Sequence, residues 1–334
     1  MKSILLGNEY DINRVYTNEI KEQLAANAGL ILEIYTKEDV LNQKIDTKDV
    51  ECIFSTWGMP VFTEEEIKGH FSSLKAVFYA AGTVQAFAPE FLNCGVRVFS
   101  AWAANGVPVA EYTVAQIILA NKGYYKTSAL ASLSHSKYYE AKGYISKYIG
   151  NYDAKIGIIG AGMIGKMVIE KLSSMKYEIL VFDPFLPDEK AKELGVTKTS
   201  LEEIFAKCNV VSNHLANNAQ TKNMINRKHF EKMVPYATFI NTGRGAQIVE
   251  QDLIDVLEER KDIIAILDVT EPEPPVEGNK FYELENCILT PHIAGSSGNE
   301  VHRMAEYMKA EFELYKNGKN CNFEVTSQML KTMA

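Results

Sequence analysis

The chain has 334 residues, 46% of them hydrophobic, with 35 basic against 43 acidic side chains and a formal charge of −8. That length divides more naturally into two domains than one, and the absence of any basic cluster means nucleic acid is not expected as a partner. No segment reaches the roughly 18–20 unbroken apolar residues of a membrane span, so no membrane is expected either. Five scattered cysteines without C-x-x-C spacing (Cys52, Cys94, Cys208, Cys287, Cys321) predict no zinc or other metal site, no disulfide framework, and a reducing, cytoplasmic setting.

The chain opens with Met-Lys-Ser-Ile-Leu-Leu, which turns polar too soon for a signal peptide. It reads as a first strand, Ser3–Leu6. Further strand-like runs follow at Leu30–Ile34, Cys52–Phe54, Ala76–Tyr79 and Val96–Phe99. A helix over Glu64–Phe71 starts after Thr63, a suitable N-cap. Val107–Ala120 predicts a long buried helix with Pro108 in its first turn, leading from one domain into the other. The polar stretch from Lys126 to Asn151 carries no clear period and is expected to form a loop or an oligomer contact. Six strands are predicted beyond it: Ile156–Ile159, Glu178–Phe182, Asn209–Asn213, Thr238–Asn241, Ile263–Leu267 and Cys287–Thr290. A last amphipathic helix, Asn299–Lys316, is expected to return to the first domain. Strands alternating with helical patterns specify an α/β class with parallel sheets.

The richest local signal is Lys155-Ile-Gly-Ile-Ile-Gly-Ala-Gly-Met-Ile-Gly165. An apolar strand runs into Gly160, Gly162 and Gly165, spaced G-x-G-x-x-G where helical periodicity takes over. The first glycine permits a tight turn, the second a close backbone approach to a pyrophosphate, and the third close packing of helix on strand. The helix amino terminus offers free N–H groups to phosphate. The next strand ends in Asp183, 18 residues past the last glycine. A carboxylate there accepts hydrogen bonds from a ribose and repels a 2′-phosphate, which favours NAD over NADP.

Three clusters just past later strands carry candidate chemistry, because open parallel sheets bind ligands at their carboxyl edge. In Ile240-Asn-Thr-Gly-Arg-Gly-Ala246, Arg244 lies between glycines and can aim its planar fork at a carboxylate. In Leu267-Asp-Val-Thr-Glu-Pro-Glu-Pro-Pro275, prolines stiffen the backbone around Glu273. In Leu289-Thr-Pro-His-Ile-Ala-Gly-Ser-Ser297, His292 meets a small, polar loop. Cation, imidazole and carboxylate are what hydride transfer to a carbonyl requires: one polarises C=O, one moves the proton, one orients the base.

With these motifs in hand, the chain resembles the D-isomer-specific 2-hydroxyacid dehydrogenases over nearly its whole length. The resemblance rests on Gly160–Gly165, Asn241-Thr-Gly-Arg-Gly245, Asp268-Val-Thr-Glu-Pro-Glu-Pro274, Pro291-His-Ile-Ala-Gly-Ser296 and Val109-Ala-Glu111. It implies a Rossmann NAD-binding domain (residues 102–295) inserted into a flavodoxin-like substrate domain (residues 1–101 and 296–334), both doubly wound. It implies Arg244 as substrate-binding arginine, Glu273 as histidine partner and His292 as acid–base. Glu273 is chosen over Glu271 because the family's glutamate stands five residues after the aspartate. Cofactor contacts implied are Met163 and Ile164 at the pyrophosphate turn, Asp183 at the ribose, Thr242, Gly243 and Asp268 toward the nicotinamide, and Gly295 in the histidine loop. His214 matches a histidine beside the cofactor, although Ala216-Asn-Asn-Ala replaces the family's usual Pro-Leu-Thr there.

In the amino-terminal domain, Ala81, Gly82 and Thr83 match the loop whose amides hold the substrate carboxylate, and Asn105 matches a pocket asparagine. Trp57, in Ser55–Met59, either walls the pocket or packs in the core. Phosphoglycerate-specific members carry arginines in that loop, and this chain has none. The implied activity is NAD(H)-dependent interconversion of a small 2-oxo acid and a D-2-hydroxy acid by a homodimer, with substrate and nicotinamide meeting in an interdomain cleft. The alternatives are an NAD(H)-sensing, corepressor-like regulator and a phosphoglycerate or phosphite dehydrogenase. Formate dehydrogenases typically carry glutamine where this chain has Glu273.

Overall fold

The computed structural model describes residues 1–331; the last three residues of the expected second segment of the substrate domain lie outside them. The chain divides into two compact units, one formed by Met1–Gly106 and the chain from Ser296 onward, the other by Val107–Gly295. The change of unit falls at Gly106.

In the first unit, β1 (Ser3–Leu6), β2 (Leu30–Tyr35), β3 (Cys52–Ser55), β4 (Ala76–Tyr79) and β5 (Arg97–Ser100) pair in parallel in the order β5-β4-β3-β1-β2. This is the flavodoxin-like order. Every residue of β1, β3 and β4 is buried, as expected for strands covered by helices on both faces. The helix over Glu64–His70 starts in a capping box, with Thr63 accepting from Glu66 N–H and Glu66 accepting from Thr63 N–H. Helix Val301–Lys316 belongs to this unit: Met304, Met308 and Phe312 are buried in its core, and the Phe312 ring lies 5.5 Å from Phe54 and 5.6 Å from Phe78. A two-residue strand, Glu324–Val325, adds antiparallel to β5. Buried Glu311 steers the chain toward it by accepting from the amides of Asn322 and Phe323.

In the second unit, β6 (Ala154–Ile159), β7 (Tyr177–Phe182), β8 (Thr197–Lys198), β9 (Val210–Asn213), β10 (Thr238–Asn241), β11 (Ile264–Leu267) and β12 (Cys287–Leu289) form one parallel sheet, ordered β12-β11-β10-β9-β6-β7-β8. The dinucleotide-fold order is complete, with its switch point between β6 and β9. The sheet therefore has seven strands where six were expected. The extra one, β8, is two exposed residues long and leaves no apolar run to read.

Two further expectations change. The long helix begins at Trp102, so Pro108 sits in its second turn rather than its first, removing the bond its N–H would have made to the Ala104 carbonyl. The stretch from 126 to 151 is mostly helical, with helices at Tyr124–Ala131 and His135–Tyr144 and a 3-10 turn at Ile145–Lys147. Within these two helices only Ala141 is buried, so there is no core-facing stripe and hence no period. Leu133, Tyr138, Tyr139, Ile145 and Ile149 are instead more than half exposed. Among the described residues no helix is long and apolar enough to cross a membrane.

Candidate active site

β6 delivers the chain to Gly160, whose φ of +88° and closeness to His214 (a Cβ would stand 2.8 Å from its carbonyl oxygen) admit glycine alone. At Gly165 a Cβ would lie 2.0 Å from the Gly160 carbonyl oxygen, so the helix can approach the strand only without a side chain. Gly162 differs: nothing lies within 4 Å of its Cβ position. It caps helix Met163–Leu172, whose first-turn amides at Met163 and Ile164 face no preceding turn. The backbone is thus kept bare where a pyrophosphate would approach a helix amino terminus.

Asp183 follows β7 and is pinned to this turn. Its Oδ2 accepts from Ala161 N–H at 2.7 Å and its Oδ1 from Phe185 N–H at 2.8 Å. A carboxylate has room for further donors, so both oxygens remain able to accept ribose hydroxyls. The residues present therefore fit a dinucleotide. Changing Asp183 to serine removes the charge facing a 2′-phosphate, and the ratio of NADH to NADPH efficiency is expected to fall by about 10–100-fold. Steady-state kinetics with both cofactors check this, and equal wild-type efficiency with the two would remove Asp183 from cofactor selection.

His214 follows β9. Its Nε2 lies 2.9 Å from Ser212 Oγ and its Nδ1 3.5 Å from Thr242 Oγ1. Although part of the residue stays accessible, burial of the ring pushes its pKa down to about 4, so the imidazole is neutral near pH 7. That suits a hydrogen-bonding wall rather than an acid–base.

The loop after β10 is held by a buried amide network that the sequence reading did not single out. Asn213 Nδ2 donates to Asn241 Oδ1 at 3.0 Å and to Gln247 Oε1 at 2.6 Å, and all three side chains are fully buried. Asn241 Oδ1 also accepts from Gly243 N–H, Asn241 Nδ2 donates to the Arg244 carbonyl, and Gln247 Oε1 accepts from Arg244 N–H. The only signal was an asparagine closing each of two apolar strands. Arg244 emerges from this frame half-buried, donating from Nη1 to the Gly243 carbonyl at 2.7 Å. Among the described residues no carboxylate pairs with it, nor with Arg14 or Arg303, whereas Arg97 and Arg260 each pair with one and Arg227 with three. A guanidinium held at a strand end without an anion is arranged to receive one.

The Arg244 loop packs on the loop after β11. A Cβ at Gly245 would fall 2.1 Å from the Thr270 carbonyl carbon, and Glu250 Oε1 accepts from Glu271 N–H at 2.7 Å. The latter loop carries Glu273, whose Oε1 meets His292 Nδ1 at 2.7 Å. Both side chains are about two-fifths exposed, and His292 Nε2 has no partner among the described residues. Asp268, almost fully buried, aims its carboxylate at the His292 loop: Oδ1 accepts from Ile293 N–H at 2.8 Å and Thr290 Oγ1 at 2.6 Å, and Oδ2 from Ala294 N–H at 2.9 Å. Gly295 follows directly. Asp268, expected toward the nicotinamide, thus also braces the backbone of His292, whose φ is +54°.

In the first unit, Ala81, Gly82 and Thr83 follow β4, and their three N–H groups have no protein acceptor among the described residues. Ser100 Oγ lies 2.9 and 2.6 Å from the Ala81 and Gly82 carbonyl oxygens and shares its one proton between them, which anchors the loop and leaves a bare set of amides suited to an anion. Asn105 Oδ1 accepts from Ser296 N–H at 3.1 Å. The neighbouring loop after β3 is tied to this one through Thr56 Oγ1, which donates to the Ala80 carbonyl at 2.7 Å. Trp57 is partly buried against the core and carries the Arg14 guanidinium 5.3 Å from its ring centroid. An arginine therefore reaches Ser55–Met59 from a helix distant in sequence, which motif reading of that loop could not show.

The model of the family described as "D-isomer specific 2-hydroxyacid dehydrogenase, NAD binding domain" matches residues 127–294. The chain is 29% identical over 256 residues to a D-3-phosphoglycerate dehydrogenase of Bacillus subtilis, covering 76% of this chain and 47% of that protein. It is 32% identical over 167 residues to a glyoxylate reductase of Korarchaeum cryptofilum, half of each chain. Its match spans less than half the length of each of four D-3-phosphoglycerate dehydrogenases, 37–47%. The apo structure of Rhodotorula graminis D-mandelate dehydrogenase shares the fold with a TM-score of 0.80 at 20% identity over 97% of both chains. The chain belongs to the D-isomer-specific 2-hydroxyacid dehydrogenase family, with residues 127–294 matching its NAD-binding domain.

Proposed function

We propose that this protein is an NAD(H)-dependent oxidoreductase interconverting a small 2-oxo acid and the corresponding D-2-hydroxy acid. The observation that carries the reading is the Glu273–His292 pair at 2.7 Å, with Arg244 and its unpaired guanidinium on the adjacent strand's loop. Gly160, Gly162, Met163, Ile164, Gly165 and Asp183 would hold the pyrophosphate and ribose. Thr242, Gly243, His214, Asp268 and Gly295 would line the rest of the cofactor site. NAD(H), when bound, supplies or accepts the hydride.

The chain's own residues do the remainder. The Arg244 fork binds the substrate carboxylate and polarises the carbonyl, and in the first unit the bare amides of Ala81–Thr83 are a set of donors that a carboxylate also fits. Asn105 and Trp57 complete the substrate contacts. His292 holds the transferable proton on Nε2, because Nδ1 is committed to Glu273. Glu273 fixes that tautomer and the direction of the ring during reduction. The exposed apolar side chains of the helical pair after Tyr124 supply a surface for a second copy. We propose a homodimer, with a solution mass twice 37.4 kDa.

The test is a panel of 2-oxo acids (glyoxylate, hydroxypyruvate, pyruvate, branched and aromatic) with NADH, following the loss of NADH absorbance. At least one is expected to turn over, and NADH binding without turnover of any would favour the regulatory reading. Phosphohydroxypyruvate is expected to be poor. The loop Ser55–Met59 contributes no arginine, and the one guanidinium that reaches it, Arg14, is stacked on Trp57. Efficient turnover of the phosphorylated compound would instead make Arg14 a phosphate ligand.

A further inference from the structure

We propose that Tyr112, acting through Thr290, is a positioning residue that holds the His292 loop in its working shape. This rests on the acid–base role proposed for His292. The Tyr112 hydroxyl lies 3.1 Å from Thr290 Oγ1, and Thr290 Oγ1 lies 2.6 Å from Asp268 Oδ1. Proton bookkeeping fixes the direction of this chain. An ionised carboxylate only accepts, so Thr290 must give its one proton to Asp268. Thr290 is then left with lone pairs alone, so Tyr112 must donate to Thr290.

The far end of the chain is the carboxylate that accepts from Ile293 and Ala294 N–H, the two amides directly after His292. The His292 amide itself donates to the Thr290 carbonyl at 3.0 Å. Thr290 thus grips the turn from both sides, by its carbonyl and by its hydroxyl. That turn holds His292 at a positive φ, an uncommon conformation for a residue with a side chain. Tyr112 stands on helix Trp102–Asn121, one turn before Gln116, which accepts from the Tyr125 hydroxyl. A line of polar contacts therefore runs from this helix to the backbone that aims the imidazole. Tyr112 touches no reacting atom in this arrangement and acts only by limiting where His292 can point.

The experiment compares wild type with Tyr112→Phe, Thr290→Val, Thr290→Ser and the double variant Tyr112→Phe/Thr290→Val. It measures kcat and KM with NADH and the best 2-oxo acid of the panel, and amide hydrogen exchange across Thr290–Gly295. Tyr112→Phe is expected to lower kcat by about 3–10-fold and Thr290→Val by about 10–50-fold, with KM for NADH within about twofold of wild type. Exchange at Ile293 and Ala294 should accelerate in both variants. Thr290→Ser keeps the hydroxyl and should stay near wild type in rate and protection, which separates loss of the bond from general damage. Tyr112→Phe should add almost nothing on top of Thr290→Val, since the two act in series.

Wild-type kcat and protection in Tyr112→Phe would overturn the proposal, as would a full Tyr112→Phe effect persisting in the double variant. Should wild type itself turn over no 2-oxo acid, the dehydrogenase reading fails. Exchange at Ile293 and Ala294 then decides by itself whether Tyr112 and Thr290 hold the loop.

Discussion

Replacing Arg244 by lysine is expected to lower kcat/KM for 2-oxo acid reduction by about 10²–10³-fold, the loss typical of removing one transition-state donor. NADH affinity should stay within about twofold. The charge survives this change, so the size of the loss measures geometry. In the structure the Arg244 backbone is held at both its N–H and its carbonyl by Gln247 and Asn241, and Nη1 is held by the Gly243 carbonyl. The remaining N–H groups of the fork have a fixed direction and no carboxylate to satisfy them. Lysine presents a compact ammonium on a flexible stem and cannot offer two parallel donors to a carboxylate while polarising a carbonyl. Cofactor fluorescence titration alongside steady-state kinetics separates the two effects. Efficiency near wild type in Arg244→Lys would remove the guanidinium from the mechanism.

Most of the parts of this molecule that were legible in the sequence bury apolar residues continuously or demand glycine; β2, read from its apolar run although only its end residues are buried, is an exception. Strands β4 and β10 were placed to the residue because Ala76–Tyr79 and Thr238–Asn241 are wholly buried between helices. Gly160 and Gly165 were legible because no other residue fits the contacts they make. The elements that escaped lack this property. β8 is two exposed residues, and the helices from 124 to 144 bury a single alanine.

At the site, the residues that face ligand stood out, since arginine, glutamate and histidine are conspicuous beside glycine and proline. Those that hold them in place did not. Asn213, Gln247 and Glu250 act on loops distant in sequence: Asn213 Nδ2 holds the Asn241 and Gln247 side chains, Gln247 Nε2 reaches the Leu215 carbonyl and Glu250 reaches the Glu271 amide. Such bonds depend on which loops the sheet order makes neighbours. Here β9, β10 and β11 lie side by side, so their carboxyl-end loops brace one another. The same logic gave Arg14 a place over Trp57 that loop composition alone would deny.

The pair that most directly tests the chemistry is Glu273 and His292. His292→Ala should reduce turnover by about 10²–10⁴-fold, the usual range for a general acid–base, without loss of NADH binding. Glu273→Gln is the finer instrument. The carboxylate lies 2.7 Å from Nδ1 and can only accept there, which leaves Nε2 to carry the transferable proton. A glutamine amide of the same shape can turn its NH2 toward Nδ1 and so permits the other tautomer. The variant is therefore expected to lose about 10²-fold or more in kcat, toward the loss seen when a general acid–base is held in the wrong tautomer, while NADH affinity stays within about twofold. Wild-type turnover in Glu273→Gln would show that Glu273 does not set the imidazole's tautomer, and an active His292→Ala enzyme would require another proton carrier.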